Sequence, residues 1–318
     1  MKWRILKGTI LAGLVTGVLC GQLGCHRQNG IRIGFVVTTL SNPYFVTMVN
    51  AAKAEAAKTP GVQLIVQAPD QAVQVGQQID DVDNLIAQHV NVLCIVPADS
   101  KGILPAIAKA NQAGIPVLIL DNKIDPQLAA KEGVHTVTYI GSDNFVGGKM
   151  AGEYMISKLP KGGDVAILEG VSGVDAANQR KAGFLAALAS APQLHVVASQ
   201  PADWDREKGL NVFQNMLQAH PNIKGVFGSN DEMALGALQA IHTAGKDHKI
   251  VIVGYDAIQD SLNAIRKGDM DATIAQLPAE VGQFGVKYAL QVVNHQAVPP
   301  NIPTEVKLVT AANVASFQ

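Results

Sequence analysis

The chain is poor in cysteine, in aromatic residues and in net charge. Its 318 residues include three cysteines, 5% aromatic residues, and 25 basic against 26 acidic side chains. Three cysteines without a C-x-x-C pair exclude a disulfide framework and a thiolate metal site. A net charge of -1 creates no long-range field that would attract nucleic acid or anionic lipid. This balance favours a neutral ligand.

The short signatures of common enzyme sites are also absent. No G-x-G-x-x-G follows a predicted strand, and there is no G-x-S-x-G nucleophile elbow. The run Gly147–Met150 resembles part of a P-loop, but Met150 stands where a Ser or Thr would bind magnesium. We therefore expect no enzyme activity, no catalytic residue, no cofactor and no metal. Histidines without paired ligand spacing, which we expect at surface or turn positions, are His89, His135, His195, His220, His242 and His248.

The first segment has the layout of a secretory signal. Basic residues between positions 2 and 7 precede an apolar run, Ile10–Leu19, that is too short to span a bilayer comfortably. Cys25 ends a segment that resembles the lipobox of bacterial lipoproteins, although Gln22 stands where Leu is usual. We expect residues 1–24 to be a signal peptide and lipidated Cys25 to anchor the protein in the periplasm or cell envelope. Ordinary cleavage that leaves a free soluble protein is the alternative.

The rest of the chain alternates apolar β-rich runs with helical patterns, which predicts parallel sheets with crossover helices. The near-continuous Val, Ile and Leu content of the runs indicates that helices cover both sheet faces. No Pro/Ser-rich linker marks the changeover near Ser142. We expect an α/β protein of two doubly wound parallel-sheet lobes. The predicted strands are Ile31–Val37, Val62–Gln67, Val92–Val96, Val117–Leu120, Thr136–Ile140, Val165–Glu169, Leu194–Gln200, Val226–Gly228, Ile250–Gly254 and Ala272–Ile274.

Three helices have clear boundary signals. Asn42-Pro43 supplies an N-cap and a first-turn proline. Ser229–Asp231 opens a second helix that Gly245 ends, and a third runs from near Asp205 towards His220.

Polar side chains follow several predicted strands, and ligands of open parallel sheets bind outside the carboxyl ends of the strands. Asn42 comes after the first strand, and Asp121 and Asn122 come after the fourth. In the second half, Asn230 follows the third strand and Asp256 the fourth. The two aspartates thus hold equivalent positions, so facing lobes would each offer a carboxylate to one cleft. For either aspartate alone, a helix cap or turn is the alternative role.

These residue types suit a monosaccharide. Carboxylates accept from two hydroxyls at once, amides donate and accept, and aromatic rings stack on the C–H faces of a sugar. Tyr44, Phe45 and Trp204 lie in or next to the candidate loops. Helical spacing leaves a core position open as the alternative for Phe45. Trp204 stands in the polar run Pro201–Arg206, where a core role is hard to explain.

At these positions the sequence resembles the type I periplasmic sugar-binding proteins of ABC importers, in the ribose/allose group. The similarity runs from Ile31 to the end of the chain, with motifs at Thr39–Phe45, Ser199–Arg206, Asn230–Ala234 and Ala272–Gln276. It implies two lobes that close on the sugar and a three-segment hinge. The chain crossings are expected near Ser142, Leu277 and Pro303. The N-terminal lobe would comprise residues 31–142 and 277–304, and the C-terminal lobe residues 143–276 and 305–318.

The resemblance also implies roles for the site residues. Ribose binders have Asp-Arg where this chain has Asp121-Asn122, and the run Leu120–Asp125 together with Trp204 is closer to allose-binding proteins. Those proteins carry a lysine where this chain has Thr38, so the sugar stays open among ribose, allose and ketoses such as psicose. The implied ligand-binding residues are Asn42, Phe45, Asp121, Asn122, Arg180, Trp204, Asn230, Asp256 and Gln276.

The implied function is that of the substrate-binding component of an ABC sugar importer, a monomer that delivers its sugar to an inner-membrane permease. A sensor that presents its closed form to a membrane receptor, such as a chemoreceptor, is one alternative. A LacI-type regulator core is another, but it would need a helix-turn-helix segment before Ile31. A basic and apolar leader occupies that stretch instead.

Overall fold

The computed structural model describes Met1 and residues 30–317. Apart from Met1, the predicted signal peptide lies outside the described residues, as does the predicted anchor Cys25. No helix in the described part combines the length and apolarity needed to cross a bilayer. In chain order the strands are β1 (Ile31–Val36), β2 (Val62–Gln67), β3 (Val92–Ile95), β4 (Val117–Leu120), β5 (Thr138–Ser142), β6 (Gly163–Glu169), β7 (Leu194–Pro201), β8 (Ile223–Gly228), β9 (Val251–Asp256), β10 (Ala272–Ala275), β11 (Asn301–Thr304) and β12 (Lys307–Thr310).

Helices connect most of these strands, as the alternating pattern predicts. A short 3-10 helix near the end of the chain covers Val314–Ser316. The α-helices are α1 (Pro43–Ala56), α2 (Val75–Ala87), α3 (Leu104–Gln112), α4 (Pro126–Lys131), α5 (Asn144–Lys158), α6 (Asp175–Leu188), α7 (Arg206–Ala219), α8 (Asp231–Thr243), α9 (Gln259–Lys267) and α10 (Pro278–Val293).

The strands form two six-stranded sheets, which confirms the expected pair of parallel-sheet lobes. The first sheet has the order β11-β5-β4-β3-β1-β2 and the second the order β12-β10-β9-β8-β6-β7. Strand β12 is antiparallel to β10, and the other strand pairs are parallel. The chain changes sheet between β5 and α5, between β10 and α10, and between β11 and β12. The Ser142 and Thr304 hydroxyls lie 3.0 Å apart and join two of these crossings.

All ten predicted strands are present, with ends shifted by a few residues. Strands β11 and β12 were not predicted from the sequence. Strand β11 contains Pro303, which cannot donate to a sheet ladder and is tolerated because β11 lies at a sheet edge. Both strands are four residues long and carry no continuous apolar run. The predicted lobe boundaries stay a prediction, and this strand order supports them.

The three predicted helix starts are confirmed by their caps. Asn42 Oδ1 accepts from the Tyr44 amide at 2.9 Å, and Asn230 Oδ1 accepts from the Met233 amide at 2.9 Å. Asp205 Oδ1 accepts from the Lys208 amide at 2.8 Å. Each bond satisfies an amide that the first helical turn leaves without an intrahelical partner, so the polar residues after the strands fix where α1, α7 and α8 begin.

Both faces of the first sheet are buried, as the continuous apolar runs predict. Ile33 and Phe35 belong to the core that includes residues of α1, whereas Val36 belongs to the core that includes residues of α2 and α3. Full burial of such side chains contributes about 1.5–3 kcal/mol each. Cys94 lies inside this core against the Gly285 carbonyl of α10, and burial raises the pKa of its thiol. The thiol is therefore an inert core group.

Candidate ligand-binding site between the lobes

Loops at the carboxyl ends of strands from both sheets line one cavity. The space between its walls, counted together with the solvent at its mouth, is about 410 Å³. All nine residues singled out from the sequence line it, so the structure brings every one of them together. The lining residues are Thr38, Asn42, Tyr44, Phe45, Ala72, Ala98, Asp121, Asn122, Val174, Ala176, Arg180, Trp204, Asn230, Asp256 and Gln276.

The first lobe contributes a buried carboxylate held by a tyrosine. Asp121 directly follows β4 and has a φ of 58°, and its side chain lies at the cavity. The Tyr44 hydroxyl donates to Asp121 Oδ1 at 2.7 Å. Burial raises the pKa of Asp121, while Arg180 and the Tyr44 hydrogen bond oppose that rise. Oδ2 of Asp121 makes no hydrogen bond within residues 30–317, so this oxygen is free to accept from a ligand.

The second lobe contributes a carboxylate, a guanidinium and an amide. Asp256 Oδ1 accepts from Gln276 Nε2 at 2.7 Å and lies 3.5 Å from Arg180 Nη1. Burial raises the pKa of Asp256 to about 7, while Arg180 and Gln276 oppose the rise. Burial alone would lower the pKa of Arg180, but Asp256 and other acidic groups raise it overall. Gln276 Oε1 is buried and has no partner in the described part of the chain.

Arg180 is fixed in one orientation from several sides. Its Nε donates to Asn144 Oδ1 at 2.8 Å, and its Nη1 donates to the Ser229 carbonyl at 2.7 Å. The guanidinium carbon lies 3.8 Å from the centre of the Tyr255 ring and 5.3 Å from the Trp204 ring. Nη2 makes no hydrogen bond to another described residue. Its two N–H groups are therefore available as oriented donors.

Two aromatic residues, one from each lobe, also line the cavity. The Phe45 ring lies edge-on to the Tyr44 ring, with centres 5.1 Å apart. Phe45 is part of the core as well as of the cavity wall, so both predicted roles apply. Trp204 has a φ of 63° and follows Asp203 at 53°. Such backbone conformations cost about 1–3 kcal/mol each and persist where the surroundings enforce them, commonly at ligand sites.

The asparagine side chains at the cavity already make some of their hydrogen bonds within the protein. Asn42 and Asn230 cap α1 and α8 through Oδ1, so the cap role considered for the aspartates belongs to the asparagines. Asn42 keeps Nδ2 for the cavity, whereas Asn230 Nδ2 donates to the Trp204 carbonyl at 3.2 Å. Asn122 Nδ2 donates to the Pro97 carbonyl at 2.9 Å. Asn122 therefore shapes its own turn and also faces the cavity.

Sequence reasoning missed several lining residues. Tyr44 stands next to Phe45 in the first turn of α1, and the sequence places it beside the candidate loops, but it was not among the nine residues given a ligand-binding role. Small apolar residues such as Val174 and Ala176 carry no polar or motif signal. Within residues 30–317 no three His, Cys, Asp or Glu side chains are grouped to hold a metal ion. The cavity presents hydrogen-bond donors, hydrogen-bond acceptors and aromatic faces, which are groups for binding.

The profile of the periplasmic binding protein domain matches residues 33–297. The chain belongs to the periplasmic binding protein family. It is 42% identical over 300 residues to the ribose import binding protein RbsB of Escherichia coli K12, covering 94% of this chain and 97% of that protein. It is 36% identical over 313 residues to the D-ribose/D-allose-binding protein of Pseudomonas aeruginosa, covering 97% and 98%.

A solved structure agrees with this assignment. It is a periplasmic solute-binding protein of an ABC transporter from Actinobacillus succinogenes 130z, with bound D-allose. The two proteins share 37% sequence identity and superpose with a TM-score of 0.85. The match covers 90% of this chain and all of that one (100%). The two-sheet architecture is therefore shared along nearly the whole length of both chains.

Proposed function

We propose that this protein is the substrate-binding component of an ABC sugar importer and captures a neutral monosaccharide between its lobes. The observation that carries the proposal is the set of unsatisfied polar groups in the cavity. Within residues 30–317, Gln276 Oε1 is a buried acceptor without a partner. The hydrogen bonds of Arg180 and Asp121 in the same part of the chain use Arg180 Nε and Nη1 and Asp121 Oδ1, which leaves Arg180 Nη2 and Asp121 Oδ2 unused. A ligand that both donates and accepts can satisfy all three.

Sugar hydroxyls meet that requirement without bringing charge. A buried polar group left unpaired costs about 1–3 kcal/mol, so each satisfied group favours the bound state. In the second lobe Arg180 and Asp256 already balance each other's charge. Neither is left to pair with a cationic or anionic ligand. Phe45 and Trp204 offer faces for the C–H surfaces of a sugar ring.

The comparisons support a ribose- or allose-like sugar. One relative is named for ribose import and one for both ribose and allose, and the superposed structure holds D-allose. We propose that Asn42, Asp121 and Asn122 of the first lobe contact the hydroxyls. In the second lobe Arg180, Asn230, Asp256 and Gln276 do the same, while Phe45 and Trp204 stack on the ring. D-Ribose, D-allose and D-psicose are the candidates.

Entry of the sugar requires the lobes to separate. The side chains of Arg180 and Asp256 are only 5% exposed, so the protein covers almost all of their surface in this arrangement. We propose that residues 31–142 and 277–304 move as one lobe against residues 143–276 and 305–318. The three crossings between the sheets would form the hinge.

We propose a location in the periplasm, with an inner-membrane permease as partner and lipidated Cys25 as the anchor. We expect the protein to act as a monomer. A sensor role remains the second candidate, because a membrane receptor would read the same closed form. Co-purification with a permease rather than with a chemoreceptor would favour transport.

A thermal-shift screen tests the sugar assignment. A ligand at one hundred times its dissociation constant stabilises the folded state by about 2.7 kcal/mol. D-Allose, D-ribose or D-psicose should therefore raise the melting temperature by several degrees, whereas amino acids and nucleotides should not. A shift with an amino acid and none with any sugar would contradict the proposal.

A further inference from the structure

Ser100 joins the two lobes at a point outside the ligand cavity. It lies in the loop between β3 and α3 of the first lobe, and it is buried although it is not among the cavity residues. Its hydroxyl accepts from the Asp175 amide at 2.9 Å, and its own amide donates to the Gly173 carbonyl at 3.3 Å. Both partners belong to the second lobe, at the start of α6.

The start of α6 has no cap from its own lobe. Val174 occupies the N-cap position and cannot offer a side-chain hydrogen bond, unlike Asn42, Asp205 and Asn230 at other helices. A helix start without a cap leaves amides unsatisfied. We propose that Ser100 is an N-cap supplied across the lobe interface, and that it acts as a latch for the closed form.

The first lobe holds the Ser100 hydroxyl in the orientation that this role needs. Its Oγ donates to the Lys123 carbonyl at 2.7 Å, so the single hydroxyl proton is used within its own lobe. The oxygen lone pairs are left to accept from Asp175. The Asp125 amide donates to the Ser100 carbonyl at 2.8 Å and fixes the loop further. The cap is therefore prepared before the lobes meet.

The latch has a direct connection to the site. Helix α6 also carries Arg180, whose guanidinium lines the cavity. The hydrogen bond to Ser100 therefore helps to position the helix that presents this group. The two bonds of Ser100 to the second lobe involve protein atoms alone. They therefore strengthen closure on any sugar by the same factor and take no part in choosing between sugars. This inference rests on the proposed function as a sugar-binding protein.

Gly173 offers an independent way to disturb the same contact. It has a φ of 90°, and a Cβ built on it would collide with the Asp99 carboxylate of the facing lobe. Gly268 is the matched control, because it has a φ of 81° in the same lobe and open space around it. An alanine at either position has a positive φ, but only the one at position 173 would also meet an atom of the facing lobe.

The experiment measures the affinity and dissociation rate of D-allose and D-ribose by calorimetry and stopped-flow fluorescence. Loss of an N-cap corresponds to about fivefold in an equilibrium constant, so Ser100→Ala should bind both sugars about fivefold more weakly and release them faster. The allose-to-ribose affinity ratio should not change. The control is Ser190→Ala, which removes a hydroxyl that bonds the Ala187 carbonyl within one lobe.

Gly173→Ala should weaken binding of both sugars more than Gly268→Ala does. Affinities of Ser100→Ala equal to those of Ser190→Ala would overturn the latch, and so would a changed sugar ratio, which would make Ser100 a ligand contact. A wild type that binds no sugar contradicts the proposed function instead. In that case the latch is tested on the sugar-free proteins, in which paramagnetic relaxation between the lobes measures the closed population. A smaller closed population in Ser100→Ala supports the latch, and equal populations overturn it.

Discussion

Asp256→Asn is the substitution that most sharply separates a binding carboxylate from a structural one. Asparagine keeps the shape of the side chain and removes its charge. In the wild type, Oδ1 accepts from Gln276 and faces Arg180 Nη1 at 3.5 Å. The substitution therefore takes away a charged acceptor at the cavity and leaves the buried guanidinium without its nearest carboxylate.

The expected loss follows from that geometry. Hydrogen bonds to charged groups contribute about 1.5–3 kcal/mol, so sugar affinity should fall by about 10- to 150-fold. Arg180 keeps its bonds to Asn144 and to the Ser229 carbonyl, so its position is retained. The loss should accordingly come from the missing acceptor and from the unbalanced charge in the closed form, with the fold intact.

Isothermal titration with D-allose and D-ribose measures the effect, and Asp260→Asn is the matched control. Asp260 also pairs with an arginine, Arg206, at 2.8 Å, but its side chain is 58% exposed. Exposed ion pairs contribute about 0–1 kcal/mol, and this one lies outside the cavity, so sugar affinity should stay within about threefold of wild type. Equal affinities for Asp256→Asn and Asp260→Asn would refute the assigned role.

The same carboxylate predicts a pH dependence. Burial raises the pKa of Asp256 to about 7 in the sugar-free closed form. Sugar hydroxyls that donate to the carboxylate favour its ionised form, so conversion of the sugar-free closed form into the sugar-bound closed form below pH 7 releases a proton. The affinity of the closed form for sugar should therefore fall as the pH decreases below 7, by at most about tenfold per pH unit. Asp256→Asn should show a shallower slope, and identical slopes in the two proteins would contradict this reasoning.

Three further substitutions test other parts of the site and its anchoring. Trp204→Ala should weaken sugar binding by at least about tenfold in calorimetry, because stacking area and a wall of the cavity are lost. Asn122→Arg should shift the affinity ratio towards ribose by about tenfold, since the larger side chain fills space beside Asp121; an unchanged ratio with both proteins folded would assign Asn122 to its turn alone. Cys25→Ser should move the protein from the membrane fraction to the soluble fraction, or leave its leader uncleaved, whereas soluble wild type would contradict lipidation.

The sequence was sufficient to predict the two sheets and part of the candidate site for physical reasons, whereas Arg180 and Gln276 were implied by the family resemblance. Buried parallel strands require unbroken apolar runs, and these stand out from one sequence alone. Polar residues directly after such runs must lie at the carboxyl edge, so Asp121 and Asp256 could be placed without coordinates. The Asn42 and Asn230 caps were readable because helix starts use a small set of side chains.

What the sequence did not reveal depends on contacts between distant segments. Strand β11 contains a proline and is stable only because an edge position next to β5 needs no donor from it. The pairing of Tyr44 with Asp121 joins residues 77 positions apart. The bond from Asp175 to Ser100 joins opposite lobes, and neither residue lies in a motif that indicates it. Such contacts become visible only when the lobes are placed together.

The most direct test is a crystal structure of the protein grown with D-allose, and another with D-ribose. We predict one sugar ring in the cavity between Phe45 and Trp204, with hydroxyls within hydrogen-bond distance of Asp121, Arg180 and Gln276. Density for the sugar elsewhere on the protein, or a cavity that stays empty at saturating sugar while the lobes remain closed, would contradict the account.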